Sequence, residues 1–72
     1  MKELVRTNDP VLLSWLVALL RGEGIEAHIF DTHTSILEGS AGAIPRRLMV
    51  ADEDEAAARQ ALEEAGQGGH LV

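Results

Sequence analysis

"LLRGEGIEAHIFD", Leu19–Asp31, changes its hydrophobic period partway along. Upstream, the run "VLLSWLVALLRG" repeats apolar residues at helical spacing: Leu12, Leu16, Leu19 and Leu20, with Leu13 beside them. Downstream, Ile25, Ala27 and Ile29 alternate with Glu26, His28 and Phe30, the two-residue period of a strand. Gly24 lies at the change and is the expected left-handed helix stop, with Gly22 loosening the last turn. The stretch therefore reads as helix, sharp turn, strand, with Ile25–Asp31 as the strand.

Working outward, "KELVRT" (Lys2–Thr7) reads as a first strand. In "NDP", Asp9 or Asn8 is placed to cap free backbone N–H groups, and Pro10 suits the first helical position because its missing donor is not needed there. Val11, Trp15 and Ala18 form a second stripe on the flank of this helix, and Trp15 is expected to fill the space between two helices. After residue 31, "RRLMVA" (Arg46–Ala51) reads as a third strand, with Leu48 and Val50 facing one way and Arg47 and Met49 the other. "DEDEAAARQALEEAG" then gives a second helix, with Asp52 as cap and Glu55 in capping-box position. Four acids in its first turn suit the helix dipole, Glu55 and Arg59 form a favourable i,i+4 pair, and Gly66 ends it. Ala57, Ala58, Ala61, Leu62 and Ala65 offer a small-residue face to the first helix. Residues 1–66 make one domain, and residues 67–72 a flexible tail or short edge strand.

Strand, helix, strand, strand, helix is the order of a split βαβ. A strand–helix–strand crossover is right-handed and leaves its two strands parallel. The third strand fits between them, antiparallel to both, and the two helices cover one face of the sheet. The expected class is α+β, ferredoxin-like. The other face then has no element to cover it. Phe30, Met49 and one of the pair Leu4 and Val5 are expected there, bordered by Glu26, His28 and Arg47. An apolar patch rimmed by charge marks an interaction surface, so Phe30, Met49 and His28 are the candidate self-association residues and a homo-oligomer is expected.

Composition narrows the chemistry. The chain has 72 residues, of which 46% are hydrophobic and only 3% aromatic, so its core is aliphatic. It has no cysteine, which removes disulfides, thiolate metal sites and cysteine nucleophiles. Net charge is −6, carried mostly by residues 52–72, and an acidic chain repels nucleic-acid phosphates. The longest apolar run, Val11 to Leu20, is half of what a membrane span needs. No nucleic-acid or membrane partner, no signal peptide and a cytoplasmic location are the expectations. His28, His33 and His70 lack the local spacing of a metal site. The hydroxyls near His33 have no positioned base, and "EGSAG" lacks the lysine of a phosphate-binding loop. No enzyme activity, metal or cofactor is expected.

The connection from Asp31 to Arg47 is far longer than the two to five residues that join adjacent antiparallel strands. Excess length at such a point belongs to loops that are functional or mobile. His33, Ile36, Leu37 and Glu38 within it, with Arg46 and Arg47 at its end, are the candidate ligand or partner contacts. Two uses are open: presenting the 31–47 loop to a partner protein, or gripping an anionic ligand with Arg46 and Arg47.

Three segments carry a family resemblance: "MKELVRTNDP", "LLRGEGIEAHIFD" and "RRLMVADEDEAAARQALEEAG". With them the chain resembles a small bacterial family described as putative signal-transducing proteins, similar in fold to the nitrogen-regulatory PII proteins. The resemblance implies a regulatory or interaction role. In PII proteins a long loop in the place of Asp31–Pro45 contacts partners, and the molecules form trimers. This chain is shorter, its loop has no tyrosine, and the nucleotide-binding positions have no counterpart. The resemblance therefore extends to architecture and role, not to ATP or 2-oxoglutarate.

Overall fold

The computed structural model describes residues 1–31 and 45–72, with residue 31 as backbone only. Three strands and two helices follow in the order β1 (Lys2–Thr7), α1 (Pro10–Gly22), β2 (Ala27–Asp31), β3 (Arg46–Val50) and α2 (Glu55–Glu64). The sheet order is β1-β3-β2, with β3 antiparallel to both neighbours. Helix α1 packs on β2 and α2 on β1, and the helices touch each other. This is the two-layer split βαβ that the element order implies.

Local chemistry sets the ends of the elements. The Asp9 carboxylate accepts from the backbone N–H groups of Val11 (3.0 Å) and Leu12 (3.2 Å), which opens α1 ahead of Pro10. Both helices close in the same way. Gly24 and Gly66 take φ of 80° and 78°. The amide after each glycine donates back into the last turn: Ile25 to the Leu20 carbonyl (2.9 Å) and Gln67 to the Leu62 carbonyl (2.8 Å). This explains why β2 begins at Ala27 rather than Ile25. The Ile25 amide is committed to the helix end, and its side chain is buried as a plug.

The core lies between the sheet and the helices. Leu13, Leu16 and Leu20 of α1 and Ala58, Ala61 and Leu62 of α2 meet Leu48 and Val50 of β3. Each buried leucine contributes roughly 1.5–3 kcal/mol. In α2, Ala57 departs from the expected apolar face and is exposed.

Strand β1 departs from simple alternation. Glu3 pairs with Met49 but Val5 pairs with Leu48, so Leu4 is an extra residue, a β-bulge. Leu4 and Val5 are both fully buried. The expectation that one of them faces the open side is overturned, because the bulge turns two consecutive side chains to the core.

Two further expectations fail. Trp15 does not fill the space between the helices; it is 47% exposed on the outer side of α1. The space it was to fill is closed by leucines and alanines small enough to bring the helices together. Asp52 makes no side-chain cap: its carboxylate meets the Met1 amine at 2.9 Å. The chain enters α2 through a 3-10 turn, Asp52–Asp54. The i,i+4 pair of Glu55 and Arg59 forms at 3.2 Å, and Arg59 also donates to the Val72 carbonyl at 3.0 Å.

After α2, a 3-10 turn (Gly68–His70) brings Leu71 beside the outer edge of β1. Leu71 bridges Val5, and the Val72 amide donates to the Leu4 carbonyl at 2.8 Å.

Candidate functional site

The face of the sheet away from the helices is built by strand register. Leu48 and Val50 of β3 point to the core, so Arg47 and Met49 point outward. Residues directly paired across a ladder share a face. Arg47 has Arg6 on one side and Phe30 on the other; Met49 has Glu3 and His28. The result is a grid of two rows, Arg6–Arg47–Phe30 and Glu3–Met49–His28. Among the described residues, no helix covers it.

The grid is charged at the β1 side and apolar at the β2 side. Arg6 holds Glu3 through two bonds, Nε to Oε2 at 2.8 Å and Nη2 to Oε1 at 3.1 Å. The hydrogen bond from Arg6 lowers the Glu3 pKa, helped by the charges of Arg6 and Arg47 and opposed by partial burial. The same pairing raises that of Arg6. On β2, the His28 and Phe30 rings stack with centroids 6.4 Å apart and planes 19° from parallel. Phe30 is 42% exposed, while His28 and Met49 are half-buried. At the centre, the Nε of Arg47 is buried with no hydrogen-bond acceptor.

Phe30, Met49 and His28 are thus brought together. Arg46 and Arg47 are not: as neighbours on a strand they leave opposite faces. The arginine that shares a face with Arg47 is Arg6, which the sequence reading missed because their proximity depends on pairing between distant segments. Glu26, expected on the border, precedes β2 and lines a groove of ≈ 320 Å³ with Arg21, Gly24 and Ile25. His33, Ile36, Leu37 and Glu38 lie outside the described residues. Asp31 and Arg46 pair across the ladder, so the connection leaves and rejoins the sheet at one end of β2 and β3.

Among the described residues, no three His, Asp or Glu side chains converge as metal ligands. No described helix is long and apolar enough to cross a membrane. The grid offers contact chemistry: stacked rings, a thioether, a satisfied ion pair and, among the described residues, one guanidinium nitrogen, Arg47 Nε, lacking an acceptor.

No curated protein matches the chain. A family model described as "Putative prokaryotic signal transducing protein" matches residues 1–66, from β1 through α2. On that match, the chain belongs to the family so described.

Proposed function

We propose that the chain is a non-catalytic regulatory module that self-associates through the open sheet face and presents the 31–47 segment to a partner protein. One observation carries the reading. Phe30 stays 42% exposed beside the half-buried His28 and Met49, while both helices lie on the other side of the sheet. Burying a large apolar side chain is worth roughly 1.5–3 kcal/mol, a sizeable part of the stability of a small domain. A second copy laid on the grid supplies that burial. It also brings carboxylates and carbonyls within reach of Arg47. The connection between β2 and β3 leaves and rejoins the sheet beside the Asp31–Arg46 pair, next to Phe30 and Arg47 of this face.

Sedimentation of the intact chain tests the first half. The expected result is an oligomer that dissociates in Phe30→Glu and Met49→Glu, with circular dichroism unchanged. A monomer at high concentration in the unmodified chain overturns it. Affinity purification before and after shortening residues 33–43 to a turn tests the second half. Equal recovery of partners in both samples overturns the loop's role.

A further inference from the structure

Helix α1 is apolar on two opposite sides. Leu13, Leu16 and Leu20 face the core. Val11, Trp15, Ala18 and Gly22 lie along the reverse side, and all four are exposed, Val11 by 76% and Trp15 by 47%. Between Pro10 and Leu20 the helix has no charged residue. A helix that is apolar all round belongs inside a structure. Among the described residues, a cover lies on one side only.

The outer seam has spacing four, three, four, which is the a/d pattern of paired helices and reads the same in both directions. Its residues run large, large, small, small. We infer that this seam binds α1 of a second copy, antiparallel, with Val11 against the partner's Gly22 and Trp15 against the partner's Ala18. A parallel pairing would stack Trp15 on the partner's Trp15 and leave a gap at the two small residues. An antiparallel pairing gives each large side chain a small one to pack on. Gly22 has open space where a side chain would stand, with nothing within 4 Å of an added Cβ. Leu12 and Leu19, half-buried beside the seam, extend the apolar strip. One 13-residue helix presents less than the roughly 800 Å² per partner of a standard interface, so the pairing is weak and concentration-dependent. It uses the side of the molecule opposite the sheet grid and stands independently of the reading above.

Trp15 is the only tryptophan, so its fluorescence reports the seam directly. Between micromolar and millimolar concentration, its emission is expected to shift to the blue as the sedimenting mass rises. In Ala18→Glu the blue shift is lost, with association at the seam weakened about tenfold or more. Ala18→Leu, which keeps helix propensity and fills the recess, gives the same loss. Phe30→Glu keeps the shift, which separates this interface from the sheet face. Orientation is read by oxidation, because the chain has no cysteine of its own. A mixture of Val11→Cys and Gly22→Cys chains crosslinks, and Val11→Cys alone does not. An emission independent of concentration, a shift that persists in both Ala18 variants, or efficient crosslinking of Val11→Cys alone overturns the proposal.

Discussion

Glu3 and Arg6 stand three residues apart on one strand, yet they face the same side of the sheet and bond at 2.8 and 3.1 Å. In a regular strand such residues point to opposite faces. The bulge at Leu4 supplies the half-period that reunites them, and it also buries Leu4 and Val5 together. Leu4→Ala is therefore expected to destabilise the domain by about 2–5 kcal/mol. Urea denaturation measures it; a loss below the cost of an exposed apolar residue would mean that Leu4 is not a core residue.

Glu3 gives a pH signature. Its pKa is lowered in the folded state, chiefly by the hydrogen bond from Arg6. A carboxylate of this kind stabilises the fold above its ordinary value, here 4.5, and loses that contribution as pH falls through the lowered folded value. The melting temperature of Glu3→Gln should lie below that of the unmodified chain at neutral pH and converge with it in acid. A gap that stays constant with pH contradicts the pairing.

Trp15 and Leu16 are neighbours with opposite surroundings. Leu16 is fully buried and Trp15 is 47% exposed. In dilute solution, Leu16→Ala should cost about 2–5 kcal/mol. Trp15→Ala should cost clearly less. Equal losses in denaturant titrations would place Trp15 back in the core.

The two glycines at the end of α1 should respond in opposite directions. Gly24 has φ of 80°, so Gly24→Ala is expected to destabilise by about 1–2 kcal/mol. Gly22 ends the helix without positive φ and with open space at its Cβ position. Gly22→Ala should stabilise the monomer by about 0.5–1 kcal/mol. Thermal melts of the two variants decide it.

Arg47 carries a buried Nε without an acceptor, a group that costs about 1–3 kcal/mol when left unsatisfied. Arg47→Met keeps the stem that packs beside Phe30 and Met49 and removes the donor. The isolated domain should melt at an equal or higher temperature. A strong loss of stability would mean that the guanidinium is satisfied in the fold.

Much of this architecture is legible from local chemistry. Asp9 and Pro10 mark the start of α1, Gly24 and Gly66 mark the helix ends, and the alternation of Leu48, Met49 and Val50 separates the two faces of β3. Each depends on a few adjacent residues. The departures are long-range. Leu4 and Val5 are alike in hydrophobicity, so only the register against β3 shows that both turn inward. Asp52 is an ideal helix cap by its neighbours, but the Met1 amine reaches it from the other end of the chain. Arg46 and Arg47 look like a pair, but a strand divides them and gives Arg47 a different companion, Arg6. Trp15 was misplaced for a related reason: a helix apolar on both sides does not say which side the fold itself will cover.

The final residues of the chain have a consequence for how the sheet can grow. Leu71 and Val72 occupy the outer margin of β1, where the Val72 amide is bonded to Leu4. Among the described residues nothing pairs with the outer margin of β2. Where Leu71 and Val72 pair, an incoming strand meets backbone groups that are already taken, so removing these two residues would open that stretch of the β1 edge.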